Sequence, residues 1–245
     1  MNKKEKLKDI IKSSSNIVFF GGAGVSTESN IPDFRSEKGL YEAKNNYSYP
    51  PEIMLSHTFF IKNTEDFYDF YKNKMIYKDA NPNAAHYALA KLEEMGKLKA
   101  VITQNIDGLH QKAGSTKVLE LHGSVHRNYC IECKEFYDLN YILNTKEEVP
   151  RCEECSGVVK PDVVLYEEPL KNDVINQAIY YIENADVLIV GGTSLVVYPA
   201  ANLIHYYKGK KLILINKSST SYDGNAYLII NESIGEVLGE IVKEL

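Results

Sequence analysis

The sequence contains no tryptophan, only four cysteines and four methionines, and no apolar run near the ~18 residues that a membrane-crossing helix needs. A membrane partner is therefore not expected, and the chain is read as soluble. Excess basic charge is missing too: 28 Lys and Arg stand against 33 Asp and Glu, a net charge of -5. That balance argues against direct, sequence-independent nucleic-acid binding, which relies on a basic surface. The start, MNKKEKLKDIIKSSSNIVFF, is basic and then apolar, but Asp9 and the polar stretch Lys12 to Asn16 break any signal-peptide core. A short amphipathic helix leading into a strand fits better. Four cysteines in a chain read without a secretory signal predict a reducing compartment, the cytoplasm, and a metal in place of disulfides. A length of 245 residues suffices for one large domain with an appended module.

What the sequence does contain is a series of short, β-branched apolar runs: Ile17 to Phe20, Ala100 to Ile102, Val118 to Leu121, Val187 to Val190, Leu212 to Ile215 and Tyr227 to Ile230. Each ends in glycine or a polar residue, and helix-like segments separate them. Near-continuous apolar strands alternating with helices predict an α/β fold with a parallel sheet covered on both faces. Two stretches break the alternation. Residues 37–85, rich in Tyr, Phe, Lys and Asn, read as short helices and loops, and residues 127–157 hold all four cysteines. Both read as insertions into the sheet domain.

The first strand runs into GGAGVSTES. Glycines at a strand-to-helix turn let backbone amides approach a pyrophosphate, which also gains from the helix N-terminus. Gly22 and Gly24 supply the first part of the dinucleotide fingerprint, while Thr27 stands where its third glycine is expected. In the following IPDFRS, Phe34 is a candidate cover for a flat nicotinamide, and Arg35 a candidate partner for phosphate or ribose oxygens.

TQNIDGLH follows the second strand, at the sheet edge where open α/β folds bind ligands. Gln104, Asn105 and Asp107 are costly to bury unpaired, and so are candidate ligand contacts. The next strand ends in Glu120-Leu121-His122-Gly123. Imidazole titrates near neutrality, which makes His122 the candidate general base among six histidines. His57, His86, His126 and His205 read as ordinary surface or packing residues, and His110 as a group behind the ligand contacts. Later strand ends add Thr193 and Ser194 for phosphate or ribose, Asn216 for a ribose hydroxyl, and the loop from Asn231 to Ile234 near an adenine.

Cys130-x2-Cys133 and Cys152-x2-Cys155, eighteen residues apart, have the spacing of a four-cysteine zinc site. Four thiolates leave no open coordination position, so such an ion is structural and does not activate water. A redox dithiol pair is the rival reading.

In order and spacing, GAGVSTESNIPDFRS, TQNIDGLH, HG, the two CxxC pairs, KPDVVLYEE, GTSLVVYPAA and the strand ending in Asn216 resemble the sirtuin family. The resemblance spans about residues 10–240. It implies a Rossmann-like NAD-binding domain, residues 1–36, 86–126 and 158–245, and a small domain formed by the helical insertion 37–85 and a zinc ribbon 127–157. It also implies that NAD and an acyl-lysine protein or peptide meet in the cleft between the two domains. The acyl oxygen attacks the ribose carbon bearing nicotinamide and an alkylamidate forms. Nicotinamide, free lysine and O-acyl-ADP-ribose are the products. By this similarity His122 is the general base, Asn105 orients the ribose, Ile106 and Asp107 hold the carboxamide, and Phe34 shields the sugar. Ala23, Thr27, Arg35, Gln104, Thr193, Ser194, Asn216 and Ile234 match further NAD contacts, and Val163, Val164, Leu165 and Tyr166 match the segment that pairs with substrate peptide. One structural zinc ion per chain is implied, and a monomer is compatible with the sequence.

Two departures stand out. Asn30 replaces a glycine usual in the family, a position where asparagine's tolerance of positive φ keeps the turn, and Glu167 also replaces a usual glycine. Tyr71-x-x-Lys74 is the nearest match to the Tyr-x-x-Arg pair of sirtuins that remove acidic acyl groups. Lysine lacks the bidentate fork, so acetyl or another uncharged acyl group is expected. The alternatives are a mono-ADP-ribosyltransferase using the same pocket and a nucleotide-binding scaffold or NAD sensor whose zinc module docks a partner.

Overall fold

The computed structural model describes residues 2–33, 47 and 49–245. Six parallel strands form the main sheet: β1 (Ile17–Gly21), β2 (Leu98–Thr103), β3 (Val118–Glu120), β7 (Val187–Gly191), β8 (Leu212–Ile215) and β9 (Leu228–Ile230), in the order β3-β2-β1-β7-β8-β9. All six predicted runs are strands, with ends shifted by at most two residues. Side chains of successive strand residues face opposite layers. Ile17, Phe19, Val187, Ile189, Ile213 and Ile215 pack with α1 (Lys3–Ser13), α5 (Ala84–Glu94) and α9 (Ile234–Lys243). Val18, Phe20, Leu188, Val190, Leu212 and Leu214 pack with α8 (Asn172–Asn184) and the 3-10 segment Ala200–Tyr206. Both faces are buried, which is why these strands read as unbroken apolar runs.

From β1 the chain moves outward to β2 and β3, then returns to β7 on the other side of β1. The carboxyl ends of β1 and β7 therefore mark a switch point, the crevice where open sheets take ligands.

Cysteines and aromatics build the second unit. Strands β4 (Gly123–Cys130), β5 (Phe136–Asp138) and β6 (Val159–Val163) form an antiparallel sheet in the order β5-β4-β6, with α7 (Leu139–Asn144) alongside. This sheet starts before residue 127 and ends after residue 157, so the expected ribbon is longer than drawn. The reason lies in the pairing of Gly123 with Val163, which carries β4 and β6 back to the main sheet. Helices α2 (Pro51–Met54), α3 (His57–Lys62) and α4 (Thr64–Lys74) lie on it. Their Phe60, Phe67, Tyr68 and Tyr71 share one core with Val125, Tyr137, Ile142 and Val159. Phe67 and Tyr71, one helical turn apart, stack with centroids 5.6 Å apart. The Tyr68 hydroxyl donates to the Val159 carbonyl, tying α4 to β6.

Candidate active site

After β1 the backbone does not enter the expected α-helix. Two 3-10 turns, Ala23–Val25 and Thr27–Ser29, take its place. Gly24 N–H donates to Gly192 O at 2.7 Å, joining the loops after β1 and β7, and a Cβ on Gly24 would lie 2.8 Å from the Gly192 backbone. This contact pins the turn and leaves it no room to wind into an α-helix. The N–H groups of Gly24, Val25 and Ser26 are spent within the two loops, on Gly192 O, Gly22 O and Ala23 O. Asn30 ends the second turn at φ 61°, the left-handed conformation that asparagine tolerates.

A single cavity of about 480 Å³ opens along these strand ends. Ala23 and Thr27 line it from the first turn, Gln104, Asn105, Ile106 and Asp107 from the loop after β2, and His122 from the loop after β3. Thr193, Ser194, Asn216 and Ile234 line the far end, and Val163, Val164, Leu165 and Tyr166 the wall beside the small unit. Phe34 and Arg35 lie outside the described residues. The described residues predicted for NAD and peptide therefore share one space, drawn from six strand ends of the main sheet and from the small unit.

Their hydrogen bonds leave little rotational freedom. Asn105 Nδ2 donates to Ser26 Oγ at 3.0 Å, and Ser26 Oγ donates to Asp107 Oδ2 at 2.6 Å. The other Asp107 oxygen accepts Leu109 N–H at 2.9 Å, at the start of α6 (Leu109–Lys112). Gln104 Nε2 donates to Thr193 Oγ1 at 3.2 Å, and Thr193 N–H to Asn216 Oδ1 at 2.9 Å, linking the ends of β2, β7 and β8. Ser26, which the sequence analysis did not single out, is the hub of the first network. Glu28, also missed, accepts Gly235 N–H at 3.0 Å and so fixes the start of α9 beside Ile234.

His122 is partly buried. Its Nδ1 lies 3.0 Å from Gln104 O. Because a carbonyl can only accept, Nδ1 carries the proton and Nε2 keeps the basic lone pair. Desolvation lowers the ring's pKa below its ordinary value of 6.5, and the bond to Gln104 opposes that only in part. The ring is neutral, and hence able to accept a proton, at physiological pH.

The wall formed by residues 163–166 is laced to the small unit. Val164 N–H donates to His122 O, and Tyr166 N–H to Leu55 O, both at 3.0 Å. His57 N–H in turn donates to Tyr166 O at 3.0 Å. Leu165 N–H donates to Glu168 Oε2 at 2.9 Å. Glu167 adopts φ 74°, and its carboxylate accepts Thr58 N–H at 2.9 Å in the first turn of α3. Tyr71, fully buried, and Lys74 also line the cavity. Among the described residues Tyr71 Oη has no hydrogen-bond partner. These contributions come from α4 and were legible in the sequence only as a spaced pair.

The sulfur atoms of Cys130, Cys133, Cys152 and Cys155 all lie within 4.8 Å of one another, with neighbouring pairs at 3.4 to 3.5 Å. Four thiolates around one zinc at ~2.3 Å are about 3.8 Å apart in a tetrahedron. The cluster fits a structural zinc ion, and the cysteines form no disulfide. Tyr137 Oη donates to Cys152 Sγ at 3.2 Å, an outer hydrogen bond of the sort that orients a metal ligand.

The comparisons with known proteins agree along the whole chain. It is similar to a protein of Clostridium tetani named NAD-dependent protein deacetylase, 73% identical over 245 residues, which covers 100% of this chain and 99% of the relative. A Clostridium acetobutylicum protein of the same name is 65% identical over 242 residues, with 99% of each covered. Among solved structures, one described as the structural basis for the mechanism and regulation of Sir2 enzymes is 45% identical with a TM-score of 0.88, covering 99% of this chain and 97% of that one. A complex of Sir2 with a p53 peptide and NAD+ is 40% identical with a TM-score of 0.87, covering 100% of this chain and 98% of that one. No helix among the described residues is long and apolar enough to cross a membrane. A family model described as Sir2 matches residues 22–199, from the first glycine turn through the four-cysteine unit to the loop after β7, and with relatives aligned end to end this chain belongs to the Sir2 family.

Proposed function

We propose that this chain is an NAD-dependent protein deacetylase that removes acetyl groups from lysine side chains, yielding nicotinamide, O-acetyl-ADP-ribose and free lysine. The observation that carries the reading is the placement of His122, proton fixed on Nδ1 by Gln104 O, in the cavity that also holds the Asn105, Ser26 and Asp107 network. NAD supplies the electrophilic ribose carbon and the nicotinamide leaving group.

The chain's own residues bind, orient and move protons. His122 Nε2 acts as the general base toward a ribose hydroxyl, and Asn105 orients that sugar. Ile106 and Asp107 receive the carboxamide. Ala23, Thr27, Arg35, Gln104, Thr193, Ser194, Asn216 and Ile234 hold the rest of the dinucleotide, and Phe34 shields the sugar, as the family resemblance implies. Among the described residues the lysines of the cavity wall, Lys74 and Lys217, are outnumbered by Glu28, Asp33, Asp107, Glu167, Glu168 and Glu232. Phosphate binding then rests on Arg35 and on hydroxyls and uncommitted N–H groups of the loops at the switch point. Residues 163–166 take the peptide as an added strand. Their N–H groups at Val164, Leu165 and Tyr166 are already engaged, so pairing uses carbonyls, each able to accept twice.

On this reading the NAD-binding unit takes residues 1–36, 86–126 and 158–245 and the small unit residues 37–85 and 127–157, the small sheet running on into the NAD-binding unit as far as Gly123 and Val163. The enzyme works in the cytoplasm, where reducing conditions keep four thiolates available to zinc. Mass spectrometry of an acetyl-lysine peptide incubated with and without NAD tests the reading. Deacetylated peptide with O-acetyl-ADP-ribose, only when NAD is present, is expected. ADP-ribose fixed on protein, with acetyl-lysine intact, would assign transferase chemistry instead.

A further inference from the structure

The loop carrying Asn105, Ile106 and Asp107 is gripped from one continuous arm, residues 122–126. His122 Nδ1–H donates to Gln104 O, Val125 N–H to Ile106 O and His126 Nε2–H to Asp107 O, each at 3.0 Å. The third contact differs from the other two. His126 is exposed and is not among the residues lining the large cavity; it lines a second one of about 300 Å³, whose wall shares Asp107 with the first. Its ring rests on Gly108, where φ is 72° and a Cβ would come within 2.7 Å of the imidazole. A backbone of that conformation favours glycine, and glycine resists bending least. The carbonyl of Asp107 is thus held from outside just where the chain is softest.

The other side of the same residue faces the cavity. Asp107 Oδ2 accepts Ser26 Oγ–H, and Oδ1 accepts Leu109 N–H. Asp107 is thus held at both ends, its carbonyl by His126 and its carboxylate by Ser26 and Leu109, and loss of the first hold leaves the 107–108 peptide free to turn.

We propose that His126 is a positioning residue for the nicotinamide half of NAD: it fixes the Ile106–Asp107 backbone through the Asp107 carbonyl without touching substrate. The proposal rests on the deacetylase reading, with Ile106 and Asp107 as the carboxamide site. Losing the latch weakens binding of NAD and of free nicotinamide, while the peptide site at residues 163–166, joined to the same arm through His122 O and Gly123 and not through the His126 ring, is unaffected.

Steady-state kinetics of the full-length, zinc-loaded enzyme, measuring KM for NAD, nicotinamide inhibition and KM for an acetyl-lysine peptide, test this. For His126→Ala, KM for NAD and the nicotinamide inhibition constant are expected to rise about three- to ten-fold, the range one hydrogen bond commands. KM for peptide stays within two-fold, and kcat falls less than KM rises. His126→Phe keeps a ring over Gly108 but loses the donor, and is expected to match alanine. His126→Gln restores an N–H at similar reach and is expected to recover most of the NAD affinity. Wild-type values in His126→Phe, or equal losses in the alanine, phenylalanine and glutamine variants, would overturn the positioning role. A wild-type enzyme with no NAD-dependent deacetylation would overturn the deacetylase reading, and this proposal with it.

Discussion

The Nδ1–H of His122 is committed to Gln104 O at 3.0 Å, and burial holds the ring's pKa below 6.5. A base is effective while unprotonated, so a lowered pKa extends activity toward acid. The acid limb of kcat/KM is therefore expected below pH 6.5, and its midpoint reports His122 in the free enzyme. His122→Ala should lose about 100-fold or more in deacetylation, the scale of general-base catalysis, while nicotinamide exchange falls less. Turnover within a few-fold of wild type would remove the ring from the mechanism. At this scale the sequence was informative where chemistry is local. His122, Asn105 and Asp107 stand in short polar runs at strand ends, and Asn30 could be read as a left-handed residue from its identity alone. Ser26 and Glu28 were missed because their roles depend on partners 81 and 207 residues away.

Among elements, the strands were the most legible, since burial on both faces removes polar residues from them. The turn after β1 was misread as the start of a helix: the glycine pattern is the same, and only the contact between Gly24 and Gly192 distinguishes the two cases. Helices α5 and α6 carry a feature that composition hides. His86 and His110 are fully or almost fully buried, with ring centroids 4.7 Å apart. His86 Nδ1 accepts Asn83 N–H, yet among the described residues neither ring nitrogen of His110 has a partner. His110 packs against His86 and Phe19. Burial lowers the pKa of His86 to about 4 and that of His110 to about 3, the second assisted by repulsion between the two rings. Unfolded, both titrate near 6.5, so between that pH and about 4 the unfolded chain binds more protons and stability falls as pH falls. The urea midpoint should drop between pH 7 and 5, and less steeply in His110→Leu, which removes one of the two groups without breaking a hydrogen bond. An identical pH dependence in that variant would show that the pair does not contribute.

For the whole molecule, the two units depend on one another. The small sheet, the aromatic helices and the four-cysteine cluster share a core, and the arm from His122 through β4 joins that core to the main sheet. Ion pairs reinforce the joint: Arg127 meets Glu120 at 2.7 Å and Asp162 at 3.0 Å. The sequence announced a four-cysteine module from spacing but not the extent of its sheet, because β4 carries Ser124, His126, Arg127 and Asn128 and β6 carries Lys160 and Asp162, so that both lack the apolar runs of the main strands. Nor did it show that α4 would place Tyr71 and Lys74 on the cavity wall, since that depends on how the helices pack. The account requires that one cleft, built at the switch point between β1 and β7 and walled by the small unit, seat the dinucleotide with its nicotinamide ribose against His122. A crystal structure of the enzyme with NAD and an acetyl-lysine peptide measures this directly. The expected result is ribose hydroxyls within hydrogen-bond distance of His122 Nε2, with the pyrophosphate against the loops that carry Ala23 and Thr193. A dinucleotide seated elsewhere, or a nicotinamide ribose beyond reach of that nitrogen, would contradict it.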